Sequence, residues 1–258
     1  MTENARLGAL VFADGLASRC ADALGDAMVS LILHGSLTLD DFAPHRSDID
    51  LLMVVENPLS DKQLAVVRDA VDQARRDAPA RVDLRAVIRA AAASPTWPTP
   101  LEAGFVLRPG TELETETRVV DEPDLLVELS VARTHGWSIV GRPPDSVIGP
   151  VPGEWLVALG DRQLADWESL TDDASHAELM VLTACRVWRF ATDGLHSSKT
   201  AAGRWALARE PSLSAVDEAL RQRTVDPAAV IGEEGIGHLL ALIRQELRNH
   251  HPAPLSSG

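Results

Sequence analysis

The sequence predicts two consecutive domains, an α/β domain at the N-terminus and an all-α domain at the C-terminus. In the first part of the chain, short apolar runs of strand length alternate with segments of helical periodicity. After residue 155 only helical periodicity remains. Between the two parts, the stretch GRPPDSVIGPVPGEW at 141–155 is rich in proline and glycine, which is typical of a linker. We therefore expect domains at 1–150 and 151–258.

The N-terminal domain is predicted to begin with the order helix, strand, strand, helix, strand. In chain order these elements cover 5–29, 30–35, 48–55, 60–77 and 80–88. Ser60 is suited to cap the second helix. Three prolines interrupt the pattern in SPTWPTPLE. Beyond them we expect a helix at 122–135 and a short edge strand or extended link at 137–141.

The C-terminal domain is predicted to be helical throughout. Its apolar residues recur at helical spacing in segments separated by turn-forming residues. The predicted helices cover 155–170, 175–193, 198–209, 213–223 and 234–250.

The composition argues against several classes of protein. A hydrophobic fraction of 45% in 258 residues is that of a globular protein with a sizeable core. The formal charge of −14 is opposite to the balance of nucleic-acid binders, so we expect no nucleic-acid partner. Cys20 and Cys185 form no C-x-x-C or Cys/His cluster, which argues against a zinc site or a disulfide. With no run of membrane-spanning length and no signal-peptide pattern, we expect a cytoplasmic protein without a membrane partner.

Two carboxylates, Asp48 and Asp50, stand at the start of the predicted strand DIDLLMVV. Because side chains alternate along a strand, both lie on one face, where their charges repel unless a cation lies between them. Mg²⁺ is the usual such cation, because it prefers carboxylate and phosphate oxygens. Asp83, on the polar face of the third strand with Arg85, would complete a triad if the two strands are neighbours. The alternative is that each carboxylate is a solvated surface residue.

Gly35 and Ser36 follow the first predicted strand and supply groups that suit a phosphate. Glycine lets the backbone approach a phosphate closely, and the serine hydroxyl can donate to its oxygens. The alternative for this pair alone is an ordinary turn. His34 and His45 flank the same loop without metal-ligand spacing, and we interpret both as structural.

The stretch HGSLTLDDFAPHRSDIDLL resembles the signature of the nucleotidyltransferase superfamily related to DNA polymerase β. Nearly the whole chain is similar to the aminoglycoside (3'')(9) adenylyltransferases, which confer resistance to streptomycin and spectinomycin. The further stretches that carry this resemblance are RVDLRAVI, ARTHGWSIVGRPP, LMVLTACRVWRFATDG and SSKTAAGRWALAREP. It implies a nucleotidyltransferase fold, with a mixed sheet and flanking helices, joined to a C-terminal helical bundle. It also implies transfer of AMP from ATP, with Mg²⁺, to a cationic or polyhydroxylated small molecule, and we expect a monomer.

The resemblance implies roles for the three carboxylates. Asp48 and Asp50 would bind Mg²⁺. Asp83 stands where the family has a catalytic glutamate, which accepts the proton of the substrate hydroxyl. Since aspartate is one methylene shorter, its role as base, third metal ligand or both stays open.

The resemblance also implies which residues would bind the nucleotide. Gly35, Ser36 and Ser47 would contact the triphosphate of ATP. Arg186 and Lys199 match family positions that reach the nucleotide phosphates, where positive charge stabilises a leaving pyrophosphate. Without the resemblance, both would be interpreted as helix-surface cations.

Four further positions bear on the acceptor. Trp167 and Asp172 match family positions that contact the drug, although Trp167 could equally be a core residue and Asp172 a helix cap. Arg108 and His176 depart from the family, which has a tryptophan near the first and an acidic residue near the second. Both changes disfavour a guanidinium-bearing ligand, so we expect spectinomycin rather than streptomycin as acceptor.

Two alternative functions are consistent with the sequence. The chain could transfer nucleotides to another small molecule or to a protein. It could also be a catalytically inactive nucleotide-binding or toxin–antitoxin-type partner, although the intact pair of Asp48 and Asp50 disfavours this.

Overall fold

The computed structural model describes residues 2–44 and 46–250, so Met1, His45 and residues 251–258 lie outside the description. The chain divides into two compact units, Met1–Val151 and Pro152–Gly258. The sequence-based boundary falls one residue earlier, and the separate roles expected of the two domains remain predictions.

The first unit contains a six-stranded mixed sheet. Its strands are β1 (Met28–His34), β2 (Ile49–Val55), β3 (Val82–Ile88), β4 (Leu101–Leu107), β5 (Glu114–Val119) and β6 (Trp137–Gly141). They lie in the order β5-β4-β3-β2-β1-β6. Only β2 and β3 are parallel, whereas the other neighbouring pairs are antiparallel. The mixed sheet confirms the expected fold class.

Helices cover both faces of this sheet. These helices are α1 (Thr2–Leu24), α2 (Asp61–Ala74), α3 (Arg89–Ala93), α4 (Pro123–His135) and α5 (Pro144–Val147). One core, on the face of α1 and α2, contains Leu33, Leu51 and Leu84. A second core, on the face of α4, contains Ile32 and Leu52. Since successive strand residues point to opposite faces, the central strands are apolar on both sides except near their site-bearing ends.

The sequence-based assignment of elements is wrong in four places. The predicted helix at 5–29 ends at Leu24, because the apolar pattern of α1 runs on without a break into β1. β4 begins inside the proline-rich SPTWPTPLE and, being buried on both faces, lacks an alternating pattern. β5 is an exposed edge strand without an apolar run, and the predicted linker at 141–155 contains α5.

The second unit is a bundle of five helices, as predicted. They are α6 (Gly153–Trp167), α7 (Ala177–Asp193), α8 (Lys199–Arg209), α9 (Ser214–Thr224) and α10 (Glu233–His250). They enclose a separate core around Leu182, Trp188 and Leu240. Within the described ranges, none of the helices has the length and apolar character needed to cross a membrane.

Gly160 marks a close approach of α6 and α7 and provides a test of the bundle. A Cβ atom at this position would lie 2.5 Å from Cγ1 of Val187. Although alanine favours helices over glycine, we expect Gly160→Ala to lower the free energy of unfolding by about 1–3 kcal/mol through overpacking. The loss should largely disappear in a Val187→Ala background, as measured by urea denaturation. Gly8→Ala in α1, where a Cβ meets nothing within 4 Å, is the control and should not destabilise. A gain in stability from Gly160→Ala would contradict this packing.

Candidate active site

The chain makes a tight turn as it leaves β1. Gly35 opens a 3₁₀ turn over Gly35–Leu37 with φ of +70°, a region that residues with a side chain seldom adopt. A Cβ atom at this position would overlap with the carboxylate of Asp50. Glycine therefore allows the backbone of this turn to lie directly against Asp50.

The two serines expected to contact phosphate differ in how their hydroxyl groups are used. Ser36 Oγ is buried and has no hydrogen-bond partner among the described residues. Ser47 is buried as well, but its Oγ accepts a hydrogen bond of 2.9 Å from the amide of Ala43. Ser36 thus has an unused hydroxyl, and a buried hydroxyl without a partner calls for an explanation such as a bound ligand.

Asp48 and Asp50 lie on the face of β2 opposite the α1–α2 core. Asp48 immediately precedes the strand and Asp50 is its second residue. The alternate residues Ile49 and Leu51 are fully buried in that core. The two carboxylates therefore share a face, although Asp48 itself lies just outside the strand.

Asp83 is the in-register partner of Asp50. β2 and β3 run parallel, and their register pairs Ile49 with Val82 and Asp50 with Asp83. Asp83 also alternates with residues of the α1–α2 core, so it lies on the polar face of β3, the same face as Asp50. The neighbouring strands required by the predicted triad are thus present.

Two arginines hold the carboxylate of Asp83. Arg81 Nη2 donates to Asp83 Oδ2 at 3.3 Å, and Arg85 Nε donates to Oδ1 at 3.4 Å. Arg81 Nη1 also lies 3.1 Å from Asp48 Oδ2, so that its guanidinium bridges the two aspartates. Within the described part of the chain, no three His, Cys, Asp or Glu side chains are arranged to hold one metal ion. The assignment of Asp48, Asp50 and Asp83 as metal ligands therefore stays a prediction.

Arg85 also contacts two glutamates beside the sheet. Its Nη1 lies 3.0 Å from Glu122 Oε1 and its Nε lies 3.3 Å from Glu128 Oε1. Glu122 immediately precedes α4, and Glu128 lies within it. Desolvation raises the pKa of Glu128 well above its usual range, Arg85 opposes this, and the charges of Asp83 and Asp50 raise it further. Carboxyl groups are thus concentrated on this face around Arg85, and the raised pKa of Glu128 favours its protonated form.

His34 ends β1 directly opposite Asp50. His34 is only 4% exposed. Burial is the main cause, and the charge of Arg85 the second, of the fall in its pKa from 6.5 to about 4. The imidazole is therefore neutral at pH 7, as suits a structural residue in contact with a charged cluster.

The two cations expected to reach the nucleotide lie in the helical unit. Arg186 lies in α7, and Lys199 is the first residue of α8. Ser198 caps α8, since its Oγ accepts a hydrogen bond of 3.2 Å from the amide of Ala201. The side chain of Lys199 is thus attached at the positive end of a helix dipole, where anions are favoured. Their contact with phosphate stays a prediction.

Trp167 and Asp172 lie at the end of α6 and in the loop that follows it. Trp167 ends α6 and packs partly against the helical core, so its interpretation as a core residue is supported. Asp172 is exposed in the loop. Because α7 begins at Ala177 with His176 as its N-cap residue, the alternative of Asp172 as a helix cap is wrong.

His176 has an acidic partner that the sequence argument did not include. Its Nδ1 lies 2.6 Å from Asp173 Oδ2. Hydrogen bonds from Ser175 and His176 lower the pKa of Asp173 to about 2. A carboxylate therefore remains at this loop even though position 176 is histidine.

Arg108 lies just beyond β4 and forms an ion pair with Glu114 of β5. The side chain of Arg108 is 42% exposed and that of Glu114 is 60% exposed. Because its charge is offset locally, Arg108 repels a cationic ligand less than an isolated arginine would.

Sequence reasoning did not identify the arginines and glutamates that surround Asp83. Arg85 had one signal, because it shares the polar face of an alternating strand with Asp83. Glu128 had another, since it is a charged residue within the apolar stretch LLVELSV. Neither signal predicts that the two side chains meet, because this depends on how α4 packs on the sheet.

Two family models match this chain. A nucleotidyltransferase domain matches residues 16–91, and the C-terminal domain of aminoglycoside adenylyltransferase matches residues 146–224. The first match contains the Gly35 turn and all three aspartates, and the second contains Arg186 and Lys199.

Curated relatives and a solved structure extend these matches. An aminoglycoside (3'') (9) adenylyltransferase of Escherichia coli is 28% identical over 197 residues, covering 73% of this chain and 74% of the relative. A protein of the same description from Rhizobium radiobacter is 34% identical over 89 residues, about a third of each chain. The structure of spectinomycin adenyltransferase AAD(9) from Enterococcus faecialis, with ATP and spectinomycin, has a TM-score of 0.71 at 15% identity. It covers 93% of this chain and 99% of its own, and this likeness shows a shared fold.

The buried, neutral His34 predicts a specific dependence of stability on pH. Its folded pKa of about 4 lies below the unfolded value of 6.5, so the unfolded chain binds the proton first as the pH falls. The free energy of unfolding should therefore lose about 2 kcal/mol from this residue between pH 7 and pH 5. In His34→Gln this contribution should be absent, so its free energy of unfolding should change less between pH 7 and pH 5 than that of the wild type. Equal slopes in urea denaturation of the two proteins would contradict the assignment.

Proposed function

We propose, because this chain belongs to the aminoglycoside adenylyltransferase family, that it transfers AMP from ATP to a hydroxyl group of an aminoglycoside-type antibiotic. The observation that carries the proposal is the in-register pairing of Asp50 with Asp83, with Gly35 directly against Asp50. This arrangement places two carboxylates beside a turn that can bind phosphate. Nucleotidyl transfer requires carboxylates that can hold a metal ion and hydrogen-bond donors that can hold phosphates.

The donor set suits Mg²⁺, which we propose as the metal cofactor. Asp48 and Asp50 share a face of β2 and would hold the ion, with Asp83 as a further ligand or as the base. When bound, Mg²⁺ would neutralise charge on the triphosphate and on the leaving pyrophosphate. Arg81, which now bridges Asp48 and Asp83, would have to withdraw before those carboxylates could bind a cation.

The polar groups of the turn would bind the phosphates of ATP. None of the described residues pairs with the buried hydroxyl of Ser36, and a phosphate oxygen would satisfy it. The hydroxyl hydrogen of Ser47 remains available, although its oxygen already accepts from Ala43. Arg186 and Lys199 would contribute positive charge toward the leaving pyrophosphate.

Asp83 would accept the proton of the acceptor hydroxyl. As the hydroxyl oxygen attacks the α-phosphorus of ATP, its O–H bond transfers the proton to the carboxylate. The bond from the α-phosphorus to the bridging oxygen breaks, and pyrophosphate leaves with that electron pair. The product is an AMP ester of the acceptor.

We further propose spectinomycin rather than streptomycin as the acceptor, bound near Trp167 and Asp172. A ring and a carboxylate suit a hydroxylated cation. The cation Arg108 supports the preference, since streptomycin carries guanidinium groups, although its ion pair with Glu114 weakens this repulsion. The carboxylate of Asp173 beside His176 partly offsets it, because it restores negative charge at that loop.

Removal of both strand-entrance carboxylates tests the chemistry. We expect Asp48→Asn with Asp50→Asn to reduce pyrophosphate release by more than about 100-fold, because the groups that stabilise transferred charge are lost. The matched control is Asp69→Asn with Asp72→Asn, two exposed carboxylates of α2, which should retain wild-type activity. Turnover by the site variant at the control rate would contradict the proposed roles.

A panel of acceptors tests the substrate. Purified protein with ATP and Mg²⁺ should release pyrophosphate with spectinomycin and much less with streptomycin. Efficient turnover of streptomycin would contradict the preference drawn from Arg108 and His176. Turnover of none of the antibiotics would contradict this acceptor class and favour another small molecule or a protein.

A further inference from the structure

Arg85 is a largely buried cation in the candidate site, and the proposed reaction gives it no role. Arg85 lies on β3, two residues beyond Asp83 and on the same face. Its side chain is only 14% exposed, whereas that of Arg81 at the strand entrance is 37% exposed. Arg85 contacts three carboxylates, those of Asp83, Glu122 and Glu128.

We propose that Arg85 is a positioning residue that fixes the orientation of the Asp83 carboxylate for the transfer reaction. This inference rests on the proposed role of Asp83. Arg85 itself would not touch ATP or the acceptor. It would act by holding one oxygen of Asp83 while its remaining contacts anchor it to α4.

The geometry distinguishes the two oxygens of Asp83. Oδ1 accepts from the deeply placed Arg85 at 3.4 Å, and Oδ2 accepts from the more exposed Arg81 at 3.3 Å. Arg81 has a long, partly exposed side chain that can withdraw, whereas Arg85 is more deeply placed, with Glu122 beside its Nη1 and Glu128 beside its Nε. Oδ2 is thus the oxygen that faces the acceptor hydroxyl once Arg81 has moved.

The contacts with the two glutamates account for the rigidity of this arrangement. Glu122 at the start of α4 lies 3.0 Å from Nη1, and Glu128 one turn and a half further on lies 3.3 Å from Nε. A planar guanidinium can bind several carboxylates in fixed directions, whereas an ammonium group cannot reproduce this pattern. Arg85 therefore connects β3, which carries Asp83, to α4 on the same face of the sheet.

The charge balance requires a cation at this position. Four carboxyl groups lie around this position, because Asp50 pairs in register with Asp83, and Asp83, Glu122 and Glu128 all contact Arg85. Removing one partner from such a buried network leaves uncompensated charge. Without Arg85, mutual repulsion would turn the Asp83 carboxylate away from its present direction.

The test compares Arg85→Met and Arg85→Lys with the control Arg89→Met. Arg89 lies on the same chain segment and pairs with Glu56, but both side chains are more than a third exposed. We expect Arg85→Met to lower kcat by about 10- to 100-fold with KM for Mg–ATP within twofold, because misplacement of a reacting group affects the transition state. Arg85→Lys should recover part of kcat, and Arg89→Met should match wild type. An unchanged kcat in folded Arg85→Met, or a change confined to KM, would overturn the proposal.

A second measurement does not depend on turnover. Replacing Arg85 should lower Tm less in an Asp83→Asn background than in wild type. In that background residue 83 carries no charge, so its ion pair with Arg85 is already lost. Equal falls in both backgrounds would overturn the proposal. If Arg85→Met does not fold, the same comparison is made with Arg85→Lys. If wild type turns over no acceptor, the proposed function fails, and this cycle alone decides whether Arg85 is coupled to Asp83.

Discussion

The parallel, in-register pairing of β2 with β3 is the constraint on which the candidate site depends. It sets Asp50 directly beside Asp83, although the two residues are separated in sequence by a loop and α2. A shift of one residue would turn one of these carboxylates into the core. The apolar residues on the opposite face, such as Leu51 and Leu84, therefore fix the register that brings the polar groups together.

The same register creates an electrostatic problem that the neighbouring residues solve. Carboxylates from two strands and from α4 meet on one face, and like charges at such distances repel. Arg81 and Arg85 supply the compensating charge, the first near the surface and the second in the interior. In the proposed reaction, this difference in depth would let Arg81 leave when a metal or substrate binds, whereas Arg85 would remain in place.

The residues of the proposed site itself could be predicted from the sequence, but the contacts around them could not. The spacing of Gly35, Asp48 and Asp50 was enough to predict the proposed chemistry, because these residues lie in one turn and at the start of one strand. The polar face of β3 likewise pointed to Asp83. The contacts of Arg85 were not predictable, because they depend on the packing of α4 and on side-chain conformation. β4 was not predicted either, because a strand that is buried on both faces lacks the alternation of apolar and polar residues by which strands are identified.

The proposed function requires that the aspartates of this face bind a metal–nucleotide complex. A crystal structure with Mn²⁺ and a non-hydrolysable ATP analogue tests this requirement, because the anomalous signal locates the ion. We expect a peak within about 2.3 Å of carboxylate oxygens of Asp48 and Asp50, with phosphate oxygens beside Gly35 and with Arg81 withdrawn from Asp48. Manganese bound elsewhere, or a nucleotide bound while Arg81 still bridges Asp48 and Asp83, would contradict it.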